Sequence, residues 1–296
     1  MRDADRQLPL AGEIFLDHVG HFVRDAQAAS RALARLGFAP TPVSVQMNPG
    51  AGTPTGTGNV TAMLSRGYLE MLFKTADTPL GQELDAAAAR YPGVHLVAFS
   101  VADAKAAHVR LAATGFRMRP LVEMQRPVNT GSGQGTAAFT VARVERDEMP
   151  EGRIQMLTHH TEDMVWQPRW LAHPNGALAL TRVVIAVADV AEAAGRFARF
   201  TGRTARTAEG GRTIELDRGR IDILAADAFA ALLPGLPVPS LPFIGAYGLA
   251  VRSLASLEAR LAAGGGATRR LDNVLVVRFP DELGHGAWLF TEAGVS

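Results

Sequence analysis

Four times along the chain an apolar run leads through a capping residue into an alanine-rich segment and then a glycine, and this repeat limits the fold more than any other feature. The copies are "LDHVGHFVRDAQAASRALARLGF" from Leu16, "HLVAFSVADAKAAHVRLAATGF" from His95, "RVVIAVADVAEAAGRFARFTGR" from Arg182 and "YGLAVRSLASLEARLAAGGG" from Tyr247. Each reads as a strand feeding a short helix. Asp25, Asp103, Asp189 and Ser253 stand at the helix starts, where a side-chain oxygen can accept from the free N–H groups of the first turn. Gly37, Gly115, Gly202 and Gly265 follow at a nearly constant spacing and suit a left-handed stop after about three turns. A helix that short needs tertiary support, so its apolar face, for example Ala29, Leu33 and Leu36, should pack on a sheet.

Shorter extended candidates follow each helix. They are "TPVSVQM", "NVTAMLS" and "YLEMLFK" in the first unit and "RPLVEMQ", "GTAAFTVARV" and "RIQMLTHH" in the second. The third has "TART", "RTIELD" and "RIDILAA", and the fourth "ATRRL", "NVLVVRF" and "AWLFTE". Each unit is therefore β-α-β-β-β, and the fold class expected is α+β. A unit this small has one apolar sheet face and open edges, so it should pair with a neighbour. Sequence order suggests one domain of units one and two over residues 13–165 and another of units three and four over residues 178–292. They join around "HTEDMVWQPRWLAHPNGA", and "LLPGLPVPSLPF" reads as a linker before the fourth unit.

Composition narrows the partners. The 30 Lys and Arg and 29 Asp and Glu are spread along the chain, without the stripe that nucleic acid or an anionic membrane requires, so neither is expected. With no cysteine, disulfides, thiolate nucleophiles and cysteine-bound metals are excluded, and any metal must sit on His, Asp, Glu or a neutral oxygen. The amino terminus "MRDADRQLPLAGE" lacks the apolar core of a signal peptide, and no stretch approaches the ~18 apolar residues of a membrane span, so a cytoplasmic address is expected.

Four such units, with "LDHVGHFVRD" opening the first and "GTGNVTAMLSRGYLEMLF" closing it, resemble the vicinal oxygen chelate superfamily and its glyoxalase-like branch. The topology covers nearly the whole chain, and the more specific motifs cover roughly residues 13–170. The resemblance implies four modules paired into two cup-shaped mixed sheets, with a divalent metal on a concave face held from the first and last strands of each unit. It implies a metal-dependent enzyme of lyase, isomerase or dioxygenase type acting on a small oxo or hydroxy compound. The superfamily's fold is also similar to drug-sequestering proteins of the bleomycin-resistance kind, which offer a metal-free binding alternative. A homodimer is also open.

Strand alternation selects the candidate donors. His18, Gly20 and Phe22 share one face of the first strand; Tyr68, Glu70 and Leu72 share one face of the last. His18 and Glu70 can thus both point into the cup as a half-site for Zn, Mn, Fe or Ni, or else His18 hydrogen-bonds in a polar cleft and Glu70 pairs with a nearby Arg. The second unit departs from the pattern. Leu96 stands where the second histidine belongs, and His95 lies one position off, on the wrong face unless a bulge corrects it. Gln155 matches Glu70 and suits substrate hydrogen bonding, while His159 follows on the same face. The expected metal set is therefore His18, Glu70 and His159, with Glu70 and His159 also serving catalysis. His160 has the wrong parity in an ideal strand.

Asn59, Thr61 and Thr57 alternate onto one face and either meet substrate or serve turn chemistry, and Asn59, Thr61 and Gln155 are taken as the substrate-binding candidates. Arg66, Arg143 and Arg153 either bind an anion or make surface ion pairs. Trp166 and Trp170 are expected to pin the interdomain segment, with lining the cup as the alternative. "NPGAGTPTGTGN" lacks the Gly-Lys-Ser/Thr ending of a phosphate loop. In units three and four the corresponding positions are Arg182, Ala246, Asp222 and Trp288, which make a metal there unexpected.

Overall fold

A computed structural model describes residues 6–48, 52–131, 133–263 and 267–294. The first unit comprises β1 (Ile14–Phe22), α1 (Ala26–Arg35), β2 (Ser44–Met47), β3 (Pro54–Met63) and β4 (Tyr68–Lys74). After α2 (Pro79–Arg90), the second comprises β5 (Gly93–Val101), α3 (Ala104–Ala113), β6 (Val122–Thr130), β7 (Gly133–Arg143) and β8 (Arg153–His159). A short α4 (Glu162–Val165) leads to the third: β9 (Ala177–Val187), α5 (Val190–Thr201), β10 (Ala205–Ala208), β11 (Gly211–Glu215) and β12 (Arg220–Ala225). Following α6 (Ala226–Leu232), the fourth comprises β13 (Phe243–Val251), α7 (Leu254–Ala263), β14 (Thr268–Leu271), β15 (Val274–Arg278) and β16 (Ala287–Glu292).

The helix signals act as their chemistry requires. Asp25 accepts from the N–H groups of Gln27 and Ala28, Asp103 from Lys105 and Ala106, and Asp189 from Glu192. The Ser253 hydroxyl accepts from Ser256 N–H. Gly37, Gly115 and Gly202 carry positive φ just past their helices, whereas Gly265 lies outside the described residues. The connecting helix α2, capped by Thr78 with Pro79 in its first turn, carries a cap signal of its own that the repeat pattern obscured. No helix among the described residues is long and apolar enough to cross a membrane.

Strand pairing follows the units. In each, the first strand lies parallel to the last, as in β1–β4 and β5–β8. The first strands of units one and two pair antiparallel, and the single Met47–Gln125 bridge of β2 and β6 joins the far ends. Eight strands therefore close into a ring in the order β1-β4-β3-β2-β6-β7-β8-β5. In the second half β9 pairs antiparallel with β13, but β10 and β14 remain unjoined among the described residues. Strand length explains the difference. β2 has only four residues, like β10 and β14, but it meets a nine-residue β6 beside β3 and β7 of 10 and 11, whereas β10, β11, β14 and β15 all have four or five and do not meet.

Alternation sorts the side chains into layers. Val19 of β1 and Leu69 and Met71 of β4 face outward into a continuous apolar core shared with Phe99, Phe200, Val183 and Trp288, which welds the two halves together. The concave face of the second half is filled: Phe229, Leu233 and Leu236 from α6 and the segment after it pack on Val184, Ala246 and Leu289. The concave face of the first half carries polar groups.

Candidate functional site

The centre of the first cup is built on an irregularity in β1. In its pairing with β5, Leu16 lies opposite Phe99 and His18 opposite Ala98, so Asp17 is an extra residue, a β-bulge. Ideal alternation would send Asp17 and His18 to opposite faces; the bulge lets neighbouring side chains meet. His18 Nδ1 lies 2.7 Å from Asp17 Oδ1, and His159 Nε2 lies 3.0 Å from Asp17 Oδ2. All three residues are buried. Burial by itself would raise the Asp17 pKa, but the two imidazoles outweigh it and hold the carboxyl well below the usual carboxylate range. An ionised Asp17 accepts from His18 Nδ1–H, which leaves His18 Nε2 with its lone pair directed away from the bulge.

That nitrogen faces Glu70, whose Oε2 is 3.6 Å away. Asn59 Nδ2 donates to Glu70 Oε1 at 2.7 Å and fixes the carboxylate from the other side. Tyr68 stacks on His18 with ring centroids 4.3 Å apart, and burial followed by the charges of Asp17 and Glu70 keeps its phenol protonated. Opposite, Arg143 Nε donates to Gln155 Oε1 at 3.0 Å. Burial first, then repulsion from Arg153 and Arg119, pushes the Arg143 pKa down to about 9. His18, Asn59, Glu70, Gln155 and Arg143 border one cavity of about 50 Å³, walled elsewhere by side chains such as Leu96, Phe139, Val141 and Leu157. That is roughly four times what one buried water requires, so the space suits a small molecule.

The other candidates fall elsewhere. Thr61 bonds the Thr41 hydroxyl and lines a neighbouring cavity, and Thr57 bonds Gln46; only Asn59 of that row reaches the cavity beside His18. His159 takes the face its parity assigns but is committed to Asp17, with its ring against Trp166 and Phe139. Trp166 therefore closes one end of the cup rather than pinning the interdomain segment alone, where Trp170 lies beside it. A bulge does occur at His95, since Gly20 pairs with Leu96 and His21 with Val94, making His95 the counterpart of Asp17. Its imidazole nevertheless bonds the Tyr91 carbonyl at 2.6 Å and lies tilted against the Tyr91 ring, and burial pushes its pKa down to about 4. His160 bonds Thr140, and Arg153 pairs with Glu83. Asp17 had no signal in the sequence: only the partner strand reveals the extra residue. Thr181 and Gly245 occupy the same bulge position in units three and four.

Comparison with known proteins bears on this arrangement. A family model described as "Glyoxalase-like domain" matches residues 16–201, more than half of the chain. The chain belongs to the glyoxalase-like family. Among solved structures, a hypothetical protein from Staphylococcus aureus superposes with a TM-score of 0.67 at 8% identity, covering 94% of this chain and 99% of that one. A mutant of 4-hydroxymandelate synthase from Streptomyces coelicolor gives 0.59 at 12%, with 95% and 92% covered. A xylose isomerase-like TIM barrel/4-hydroxyphenylpyruvate dioxygenase fusion protein gives 0.57 at 10%, covering 98% of this chain and 51% of that one. At these identities the likeness establishes the fold. No curated protein sequence matches.

The vicinal oxygen chelate type implies a divalent metal, and the donor set of this glyoxalase-like chain was tested against it. His18 and Glu70 supply two donors. The third and fourth positions hold Leu96, which has no donor atom, and Gln155, whose oxygen is occupied by a guanidinium N–H. His159, expected to complete the set, spends its Nε2 on Asp17. Among the described residues no group of three or more His, Cys, Asp or Glu gathers in a metal-holding arrangement. Catalytic zinc and the facial iron triad each require three protein ligands, so these residues do not fit a complete centre.

Proposed function

We propose that this glyoxalase-like protein is an enzyme that moves a proton on a small oxo or hydroxy compound inside the first cup, with His18 as the base. The observation that carries the reading is the buried Asp17–His18 pair, which orients an imidazole nitrogen into a small cavity beside Glu70. Asp17 holds the tautomer, and His159 is a positioning residue that braces Asp17. When Nε2 takes a proton from a carbon next to a carbonyl, the C–H electron pair passes into an enolate and the new imidazolium lies between the carboxylates of Asp17 and Glu70. Gln155, its oxygen held by Arg143, keeps its amide N–H groups for a substrate oxygen. Donation of the proton from His18 Nε2–H to a neighbouring atom on the same face completes an isomerisation.

The test is exchange of substrate C–H for deuterium. Small 2-oxo and 2-hydroxy compounds are incubated with the protein in D2O plus chelator and followed by proton NMR. Exchange is expected with the native chain and lost in His18→Asn; exchange that chelator abolishes and a divalent ion restores would overturn the reading. The apolar wall contributed by Leu96, Phe139 and Val141 favours a second reading, a metal-free binding or sequestering protein. Ligand-induced thermal stabilisation without any exchange would select it.

A further inference from the structure

We propose that Arg143 is the carboxylate-binding residue of the first cup, so that the molecule it accepts is a small organic acid. This deepens the reading above by naming the substrate class, and it rests on the cup being the binding site rather than on proton transfer there.

Arg196, 7% exposed, lies against both oxygens of Glu151 at 2.6 and 2.9 Å and also pairs with Glu192. Arg153, deep in the same region, pairs with Glu83. Glu83 itself gathers Arg119 and Arg146 as well. Arg143, 9% exposed, has no carboxylate within ion-pair distance among the described residues. Its Nε meets the neutral amide oxygen of Gln155, and Nη2 approaches only the Met124 sulfur at 3.7 Å. A guanidinium has five N–H donors in a planar fork that matches a carboxylate, so most of its capacity remains unused. A buried cation without an anion is costly, and the cost is recovered when an anion arrives.

Position supports the assignment. Arg143 borders the cavity opposite His18 and Glu70, and Arg126 borders it too without any ion pair among the described residues. With Arg153 paired to Glu83, the lining charges left are Arg126 and Arg143 against Glu70, an excess of positive charge in a cavity of about 50 Å³. A carboxylate seated on Arg143 turns the rest of a small ligand toward the imidazole of His18. Burial, with repulsion from Arg153 and Arg119, holds the Arg143 pKa near 9, and Glu83 and Glu70, neither within ion-pair distance, offset it only in part.

The experiment uses the full chain and two isosteric probes, lactate and lactamide, titrated by NMR at neutral pH. Native protein is expected to bind lactate at least tenfold more tightly than lactamide. Arg143→Met should remove that preference, Arg143→Lys should keep part of it, and His18→Asn should keep it in full. Because the guanidinium has no anionic partner to lose, Arg143→Met should melt at or above the native temperature, which a purely structural arginine would not allow. The proposal is overturned if native protein shows no preference for the anion, if Arg143→Met retains the preference, or if Arg143→Met melts well below native protein. Loss of deuterium exchange in His18→Asn with the lactate preference intact separates the two proposals.

Discussion

His21, on the outer side of β1, offers a test of how the two halves are joined. Its Nδ1–H donates to the Leu283 carbonyl at 2.9 Å, and its Nε2 accepts from the Tyr247 hydroxyl at 2.9 Å. Trp288 Nε1–H donates to the same hydroxyl at 2.6 Å. Every group is satisfied with a neutral imidazole. Protonation would force the Tyr247 oxygen to accept twice and leave its own proton without an acceptor. Burial is the main cause that pushes the His21 pKa from 6.5 down to about 4. The unfolded chain therefore binds a proton below pH 6.5 that the folded chain refuses until about pH 4, so stability falls as pH drops through this window. A shift of 6.5 − 4, about 2.5 units, at ~1.4 kcal/mol per unit amounts to about 3 kcal/mol. Asp17 acts outside the window, since its stabilisation is present above its usual pKa of 3.8 and is lost only below it. Urea unfolding at pH 7.5 and 4.5 is the assay, on native protein and His21→Gln, whose carboxamide donates and accepts without titrating. Native protein should lose on the order of 2–3 kcal/mol more than the variant over this range. Equal losses would refute the reasoning, because the proton would then not be excluded at His21.

Three further outcomes follow from the site. Asp17→Asn should leave the fold intact yet lower deuterium exchange by about 2–4 kcal/mol in activation free energy, because a carboxamide cannot accept from both imidazoles; the rate against His18→Asn checks it. Leu96→His combined with Gln155→Glu should create zinc binding detectable by calorimetry where the native chain has little, since it supplies the two missing donors; no gain would mean that donor count is not what limits the site. Gly20→Ala places a methyl group 2.9 Å from the Leu96 Cβ and should destabilise by about 1–3 kcal/mol, with Leu96→Gly, which removes that Cβ, coupling to it favourably in a double-mutant cycle.

Much of this was legible because it depends on local chemistry with a period. Asp25, Asp103 and Asp189 cap helices wherever a strand turns into one, and alternation alone put His18, and Glu70 with Tyr68 and Leu72, on the cavity side. Counting from the caps also identified Leu96 and Gln155 as the second unit's counterparts, and β5 and β8 place both on the cavity wall. Other features have no local signature. His159 has the right parity, but its Nε2 is taken by Asp17, a carboxylate that another strand brings to it.

The sequence by itself determined the four β-α-β-β-β units, their caps and the faces of their strands, since each follows from backbone hydrogen bonding and side-chain period within a few residues. Only the tertiary structure decided that eight strands close into one ring and leave the second half open. It alone decided that a bulge turns Asp17 inward onto His18, and that Arg143 is buried without a counter-ion. The physical reason is common to all three: register, curvature and charge pairing are properties of strands meeting across the fold, and no single strand carries them.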